Sequence, residues 1–233
     1  MYSMSNVLVI FAKAPIEGQV KTRLCPPLTP AQAAELARCF LIDTVERACT
    51  FPEVQVYIAF TPADSENVFR ALLSFPVRYL PQRGDSLGKR ELNIFLDLQQ
   101  RGASRIVLIG SDIPTLPSAH IKEAFTLLED SQYDAVFNPT DDGGYCLIGM
   151  REPHSALFEG IAWSTSTVMA ETLSRARKHS LTVELAPTWY DVDDHAGLSR
   201  LVNELKNTNA GTVAPRTHTM LMRLGLFPEH EPE

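Results

Sequence analysis

The stretch Val7–Leu24, VLVIFAKAPIEGQVKTRL, decides how the rest of the chain is read. Val7–Phe11 is a short, continuous apolar run, the pattern of a strand buried on both faces. It empties into a loop carrying Lys13, Lys21, Arg23 and one glycine, Gly18. A strand that opens into a basic loop is where α/β proteins hold phosphates. The cations can neutralise a di- or triphosphate, and Arg23 can grip it through two parallel hydrogen bonds. The same residues can equally form a solvated surface loop, because a single glycine is not a dinucleotide fingerprint.

Strand and helix signals alternate downstream of this stretch. Thr29, Pro30 and Gln32 make a helix start with a capping box, and apolar residues follow at helical spacing to Ala48. Val54–Phe60, Val77–Leu80, Arg105–Gly110, Ala135–Asn138, Tyr145–Met150 and Thr182–Ala186 read as strands. Helices are expected over Glu66–Leu73, Gly88–Gln100, Ser118–Leu128, from a Ser164 cap to Lys178, and over Ala196–Leu205. Alternating β and α elements with apolar strands predict a mostly parallel sheet covered by helices on both faces. Residues 1–206 form the expected domain. Asn207–Thr212 reads as a linker to a C-terminal segment, 207–233.

The chain has 233 residues, 45% of them hydrophobic, and a net charge of -7. The hydrophobic content suits one α/β domain of ordinary core size. The acidic balance argues against nucleic acid or an anionic membrane as a partner. No apolar run is long enough for a membrane span, and the N-terminus lacks the pattern of a signal peptide. The four cysteines show no CxxC or zinc spacing and fit a reducing cytoplasm, the expected location. No histidine pair has ligand spacing, and there is no GxSxG.

Four polar segments stand at the ends of these elements. Gly110–Pro114, GSDIP, puts Asp112 at the carboxyl end of a central strand, where it can ligate Mg²⁺ or Mn²⁺ or cap a turn. Asp141–Tyr145, DDGGY, can border a ligand or be a tight connection between strands. In Asp191–Asp194, DVDD, Asp193 or Asp194 can cap the following helix. Asp191 and Asp193 can also point to one side and join Asp112 around a metal. Arg83–Arg90 is a polar loop that opens a helix, whose cations can reach an anionic ligand or simply be solvated, and Trp163 in Gly160–Thr167 can stack on a base or sugar or simply pack.

Taken in order, AKAP-x-x-G-x-VKTRL, GSDIP, DDGGY-x-LIG, WSTSTV and DVDD resemble the bacterial glycosyltransferase-like family called radical-SAM/selenodomain-associated transferase 1. The resemblance runs from Val7 to Leu205. It implies the nucleotide-diphospho-sugar transferase superfamily and a GT-A type, Rossmann-like three-layer fold. It also implies similarity to phospholactate and molybdopterin guanylyltransferases. Carried over to this chain, Lys13, Gly18, Lys21 and Arg23 would meet the nucleotide phosphates. Asp112, with Lys21 and Arg23, would serve catalysis, and Asp112, Asp193 and Asp191 would hold Mg²⁺ or Mn²⁺. Asp142, Gly143, Gly144 and Tyr145 would line the acceptor or sugar side. The partners implied are a nucleotide sugar, or a nucleoside triphosphate, and a small-molecule acceptor. The expected reaction is metal-assisted glycosyl transfer. Nucleotidyl transfer with pyrophosphate release, or nucleotide binding without turnover, are the alternatives.

Overall fold

A computed structural model of the chain describes residues 5–207 and 213–227. Seven strands form one sheet: β1 (Ser5–Lys13), β2 (Val54–Thr61), β3 (Arg78–Pro81), β4 (Ala103–Gly110), β5 (Ala135–Pro139), β6 (Tyr145–Met150) and β7 (Val183–Leu185). Their order is β3-β2-β1-β4-β6-β5-β7. Every neighbouring pair is parallel except the two made by β6, which runs against both β4 and β5. The carboxyl ends of β1 and β4 lie side by side, and from them the chain departs toward opposite halves of the sheet. That is the topological switch point at which open α/β sheets bind ligands.

The helices are α1 (Pro30–Ala48), α2 (Glu66–Leu72), α3 (Leu87–Gln100), α4 (Ser118–Leu127), α5 (Val168–Lys178), α6 (His195–Asn207) and α7 (Pro215–Arg223). Period-two alternation along β1 divides the core between the two faces of the sheet. Leu8, Ile10 and Ala12 pack with Leu41 and Val45 of α1, Phe69 of α2 and Ile121 and Phe125 of α4. Val7 and Val9 pack on the other face with Ile94, Phe95 and Leu98 of α3 and Met169 and Ala176 of α5. These are the three layers expected for a nucleotide-diphospho-sugar transferase fold.

The start of α1 is the capping box expected from the sequence. The Gln32 amide donates to Thr29 Oγ1 at 3.2 Å and the Thr29 amide to Gln32 Oε1 at 2.8 Å. The start of α5 differs from expectation. Ser164 does not cap it; Ser164 has a left-handed backbone with φ 64°, and the helix begins at Val168 after Thr167. The intervening polar groups satisfy one another instead. The Thr165 hydroxyl bonds the Ala162 carbonyl at 2.7 Å, while Glu171 accepts from the Thr167 hydroxyl and the Ala162 amide, each at 2.7 Å. The segment 162–167 is therefore a tied loop rather than a first helical turn.

Apart from Asn207, which ends α6, the expected linker falls outside the described residues. Beyond it, α7 lies on α1. The buried Asp43 carboxylate accepts from the backbone amides of Thr217 at 2.8 Å and Arg216 at 3.2 Å, capping α7 from a neighbouring helix. The Arg216 guanidinium pairs with Asp43 and Glu46. Ala214 and Leu221 complete a third apolar cluster with Leu36, Phe40, Leu198, Leu201 and Leu205. Among the described residues, no helix is long and apolar enough to cross a membrane.

Candidate active site

The loop after β1 bends back over the carboxyl edge of the sheet. Lys21 enters a short 3-10 turn, Thr22–Leu24, in the left-handed conformation with φ 50°. Leu24 is fully buried in the third cluster and anchors this turn. The Lys21 side chain is only 8% exposed, and its ammonium lies between two carboxylates. It is 3.1 Å from Asp112 Oδ2 and 2.5 Å from Asp193 Oδ1. Burial opposes its charge, but Asp112 and Asp193 together outweigh that penalty and hold its pKa above the ordinary lysine value. Burial likewise works against ionisation of Asp112, and Lys21 overrides it, keeping this carboxyl below the usual range.

The position of Asp112 follows from two local features. Gly110 ends β4, and a Cβ there would stand 2.4 Å from Asp112 Oδ1, so only glycine lets the carboxylate fold back over the strand end. The Val192 amide donates to the Asp112 carbonyl at 3.0 Å, which laces the DVDD segment to the end of β4. Asp194 caps α6, accepting from the amides of Ala196 at 3.0 Å and Gly197 at 3.1 Å. That leaves Asp193 to face Lys21. Oxygens of Asp112, Asp191 and Asp193 all lie within 4.8 Å of one another. Asp191 carries the strain of this crowding: burial first, then the charges of Asp112 and Asp193, push its pKa up to about 7. Three converging carboxylates are a hard-oxygen donor set that suits Mg²⁺ or Mn²⁺.

Two cavities meet at this triad. The first, ≈ 380 Å³, is lined by Lys13, Lys21, Arg23, Arg90, Asp112 and Asp193, with Phe40 and Gln82 deeper in. Gln82 is fixed by hydrogen bonds to the carbonyls of Ala12 at 3.3 Å and Ala59 at 2.8 Å. The second, ≈ 420 Å³, is lined by Glu91, Asp142, Gly144, Tyr145, Trp163, Asp191 and the 164–166 loop. Arg23 and Asp193 belong to both. Arg23 is largely exposed and pairs with Asp194 at 3.0 Å.

Not every residue singled out in the sequence reaches a cavity. Gly18 is exposed, with φ 72° at the tip of the loop, and is outside the lining of both. Gly143 serves the backbone. Its φ is 89°, a Cβ there would lie 2.0 Å from the Ser166 carbonyl oxygen, and its own carbonyl accepts from the Met169 amide at 2.9 Å. Asp142 is held in the β5–β6 turn, where Oδ1 accepts from the Thr140 hydroxyl and, at 3.0 Å, from the Gly144 amide. DDGG is thus both a tight connection and the wall of a cavity.

Of the cations in the Arg83–Arg90 loop, Arg90 lines the first cavity. One lining residue escaped the sequence reading. Glu91 is only 5% exposed, and the Tyr145 hydroxyl donates to its Oε2 at 2.6 Å. Burial pushes the Glu91 carboxyl up to about 7 against the opposing effect of that hydrogen bond. A signal was present: Gly88, Glu91, Phe95 and Leu98 share the buried stripe of α3, and a carboxylate stands there in an apolar position.

The comparisons with known proteins agree with this architecture. A crystal structure of a proposed nucleotide-diphospho-sugar transferase from Desulfovibrio desulfuricans G20 is 31% identical, with a TM-score of 0.88 over 96% of this chain and 97% of that one. The 2-phospho-L-lactate guanylyltransferase of Methanothermobacter thermautotrophicus is 24% identical over 193 residues, 82% of each chain. CMP:2-keto-3-deoxy-manno-octonic acid synthetase, in complex with CTP, shares the fold at 13% identity, with a TM-score of 0.57 over 87% of this chain and 98% of that one. A family model matches residues 44–165, which include Glu91, Asp112 and Tyr145. The chain belongs to that family, described as "Uncharacterized protein conserved in bacteria (DUF2064)".

Proposed function

We propose that this protein is a transferase that moves a glycosyl group from a nucleotide sugar to a small acceptor. The observation that carries this reading is the divided cleft. A cavity walled by four cations and a cavity walled mainly by carboxylates and hydroxyls meet at Asp112, Asp191 and Asp193. In this reading the nucleoside diphosphate occupies the first cavity. Lys13 and Arg90 neutralise its charge at the walls, and Lys21 and Arg23 at the junction. Asp112, Asp193 and Asp191 would hold Mg²⁺ or Mn²⁺, which when bound supplies charge stabilisation to the departing diphosphate. Lys21 leaves its carboxylate partners to bond a phosphate oxygen, so its cation is present where negative charge develops. Gly144, Tyr145 and the turn carboxylate of Asp142 border the acceptor.

The relation to the guanylyltransferase favours a second reading, nucleotidyl transfer. There an acceptor attacks a nucleoside triphosphate in the same cleft and pyrophosphate leaves. The proposed partners of the chain are accordingly a nucleotide and a small acceptor, and its proposed setting is the cytoplasm.

A thermal-shift panel of nucleoside di- and triphosphates and nucleotide sugars, with and without Mn²⁺, tests the shared part of these readings. Nucleotide-dependent stabilisation is expected, and it should grow with Mn²⁺. Absence of any nucleotide effect would refute both. Release of nucleoside diphosphate then supports glycosyl transfer, and release of pyrophosphate supports the second reading.

A further inference from the structure

The two halves of the cleft carry opposite charge. Among the described residues lining the second cavity, Arg23 is the sole lysine or arginine, and Asp194 already engages it. Glu91, Asp142, Asp191 and Asp193 face it from α3, the β5–β6 turn and the DVDD segment. A divalent cation at the junction would offset Asp191 and Asp193, leaving Glu91 and Asp142 uncompensated. Ionised carboxylates accept hydrogen bonds and donate none, so above about pH 7 these walls ask for a ligand rich in donors. The Tyr145 hydroxyl takes up one oxygen of Glu91 and fixes its direction, and the group keeps accepting capacity for a ligand. Trp163 adds an aromatic wall, and Gly88 allows its indole to lie against α3: a Cβ at Gly88 would stand 2.2 Å from the ring. The volume, ≈ 420 Å³, is that of a small-molecule site.

We propose that the second cavity selects an uncharged, hydroxyl-rich acceptor such as a sugar or polyol, and that Glu91 is the residue that rejects phosphorylated acceptors. This inference rests on the transferase reading above and narrows its acceptor. Phosphate esters belong in the first cavity, which Lys13, Lys21, Arg23 and Arg90 line; in the second, above about pH 7 where Glu91 ionises, a phosphate dianion meets the carboxylates of Glu91 and Asp142 with Arg23 already held by Asp194. Discrimination here is by repulsion, which an uncharged ligand does not feel.

The test uses full-length protein loaded with a nucleoside diphosphate and Mn²⁺, titrated with matched probes. The pairs are methyl α-glucoside against glucose 6-phosphate, and glycerol against glycerol 3-phosphate. Tryptophan emission follows binding, and Trp163→Phe identifies the signal of the second cavity. The neutral member of each pair should bind at least ten-fold more tightly. Glu91→Gln, which keeps an oxygen for Tyr145, should narrow that gap several-fold without altering nucleotide affinity. Equal or tighter binding of the phosphate esters, no binding of any neutral probe at 100 mM, or an unchanged gap in Glu91→Gln would overturn the proposal. Nucleotide stabilisation in the same samples separates the two ideas: its absence removes the transferase reading, whereas its presence with a preference for phosphate esters removes only this inference.

Discussion

Lys21 occupies the place where three carboxylates would otherwise repel one another, so it acts as an internal counter-ion. Replacing it with methionine keeps the aliphatic stem and removes the charge. Lys21→Met should tighten Mn²⁺ binding in the absence of nucleotide by about ten-fold, since each proposed ligand no longer has a competitor. It should weaken nucleotide binding at the same time. Calorimetric titration of both ligands checks this, and a change of the two affinities in the same direction would refute the counter-ion role. Asp112→Asn alters charge with little change of volume. It should fold normally and lose the extra nucleotide stabilisation that Mn²⁺ confers, which melting curves with and without Mn²⁺ would show. Glu91 predicts a pH effect. Its pKa rises from an ordinary 4.5 to about 7 on folding. Between those values the folded protein holds a proton that the unfolded chain has released. Stability therefore falls as pH rises through this window, by about 3 kcal/mol from this group. Glu91→Gln should match wild type near pH 4.5 and exceed it by about 3 kcal/mol at pH 8 in urea unfolding. Equal stability at pH 8 would mean the carboxylate is already well solvated.

Elements hold these residues through a few backbone contacts, and the sequence revealed some of those contacts and hid others. β1 and β4 were legible because strands buried on both faces are apolar throughout. The reversed direction of β6 was not, because short apolar runs look alike in either orientation. Ser164 is a favoured cap by residue type, yet Glu171 and the neighbouring threonines stabilise a loop there instead. Asp193 and Asp194 were interchangeable as caps in the sequence; the amides of Ala196 and Gly197 choose Asp194 and free its neighbour for the site. Glu91 was passed over because a polar loop beside a helix start reads as solvated, although its place on the buried stripe of α3 distinguished it. The dependence on elements is itself testable. Gly143→Ala places a methyl group against the Ser166 carbonyl at a backbone angle that disfavours side chains. It should cost about 2 kcal/mol and displace the 162–167 loop, to be read from denaturation and from the environment of Trp163. Asp43→Ala uncaps α7 from across the helix pair and should cost about 2 kcal/mol, with new protease sensitivity in the C-terminal segment. Unchanged resistance to proteolysis would show that Ala214 and Leu221 alone hold α7 in place.

At the scale of the whole molecule, the sheet brings together residues that are far apart in the chain. We propose that residues 1–206 form the transferase domain and that α7 is an outer buttress on α1. Lys21 follows the first strand, Asp112 the fourth, and Asp191 and Asp193 the seventh. Backbone bonds from the Val192 amide to the Asp112 carbonyl and from the Trp189 amide to the Pro139 carbonyl bring the last pair home. This arrangement imposes a chronology on synthesis. As the chain leaves the ribosome, Lys21 and Asp112 emerge together with most of the sheet, and a nascent protein halted after α5 owns a cation and one partner carboxylate. The other two acids, Asp191 and Asp193, arrive only with the segment after the seventh strand. Until then the proposed three-carboxylate cluster is incomplete, and Asp112 is its one member present. Under the proposed metal role, ion affinity is acquired only once the segment that follows the seventh strand has been made.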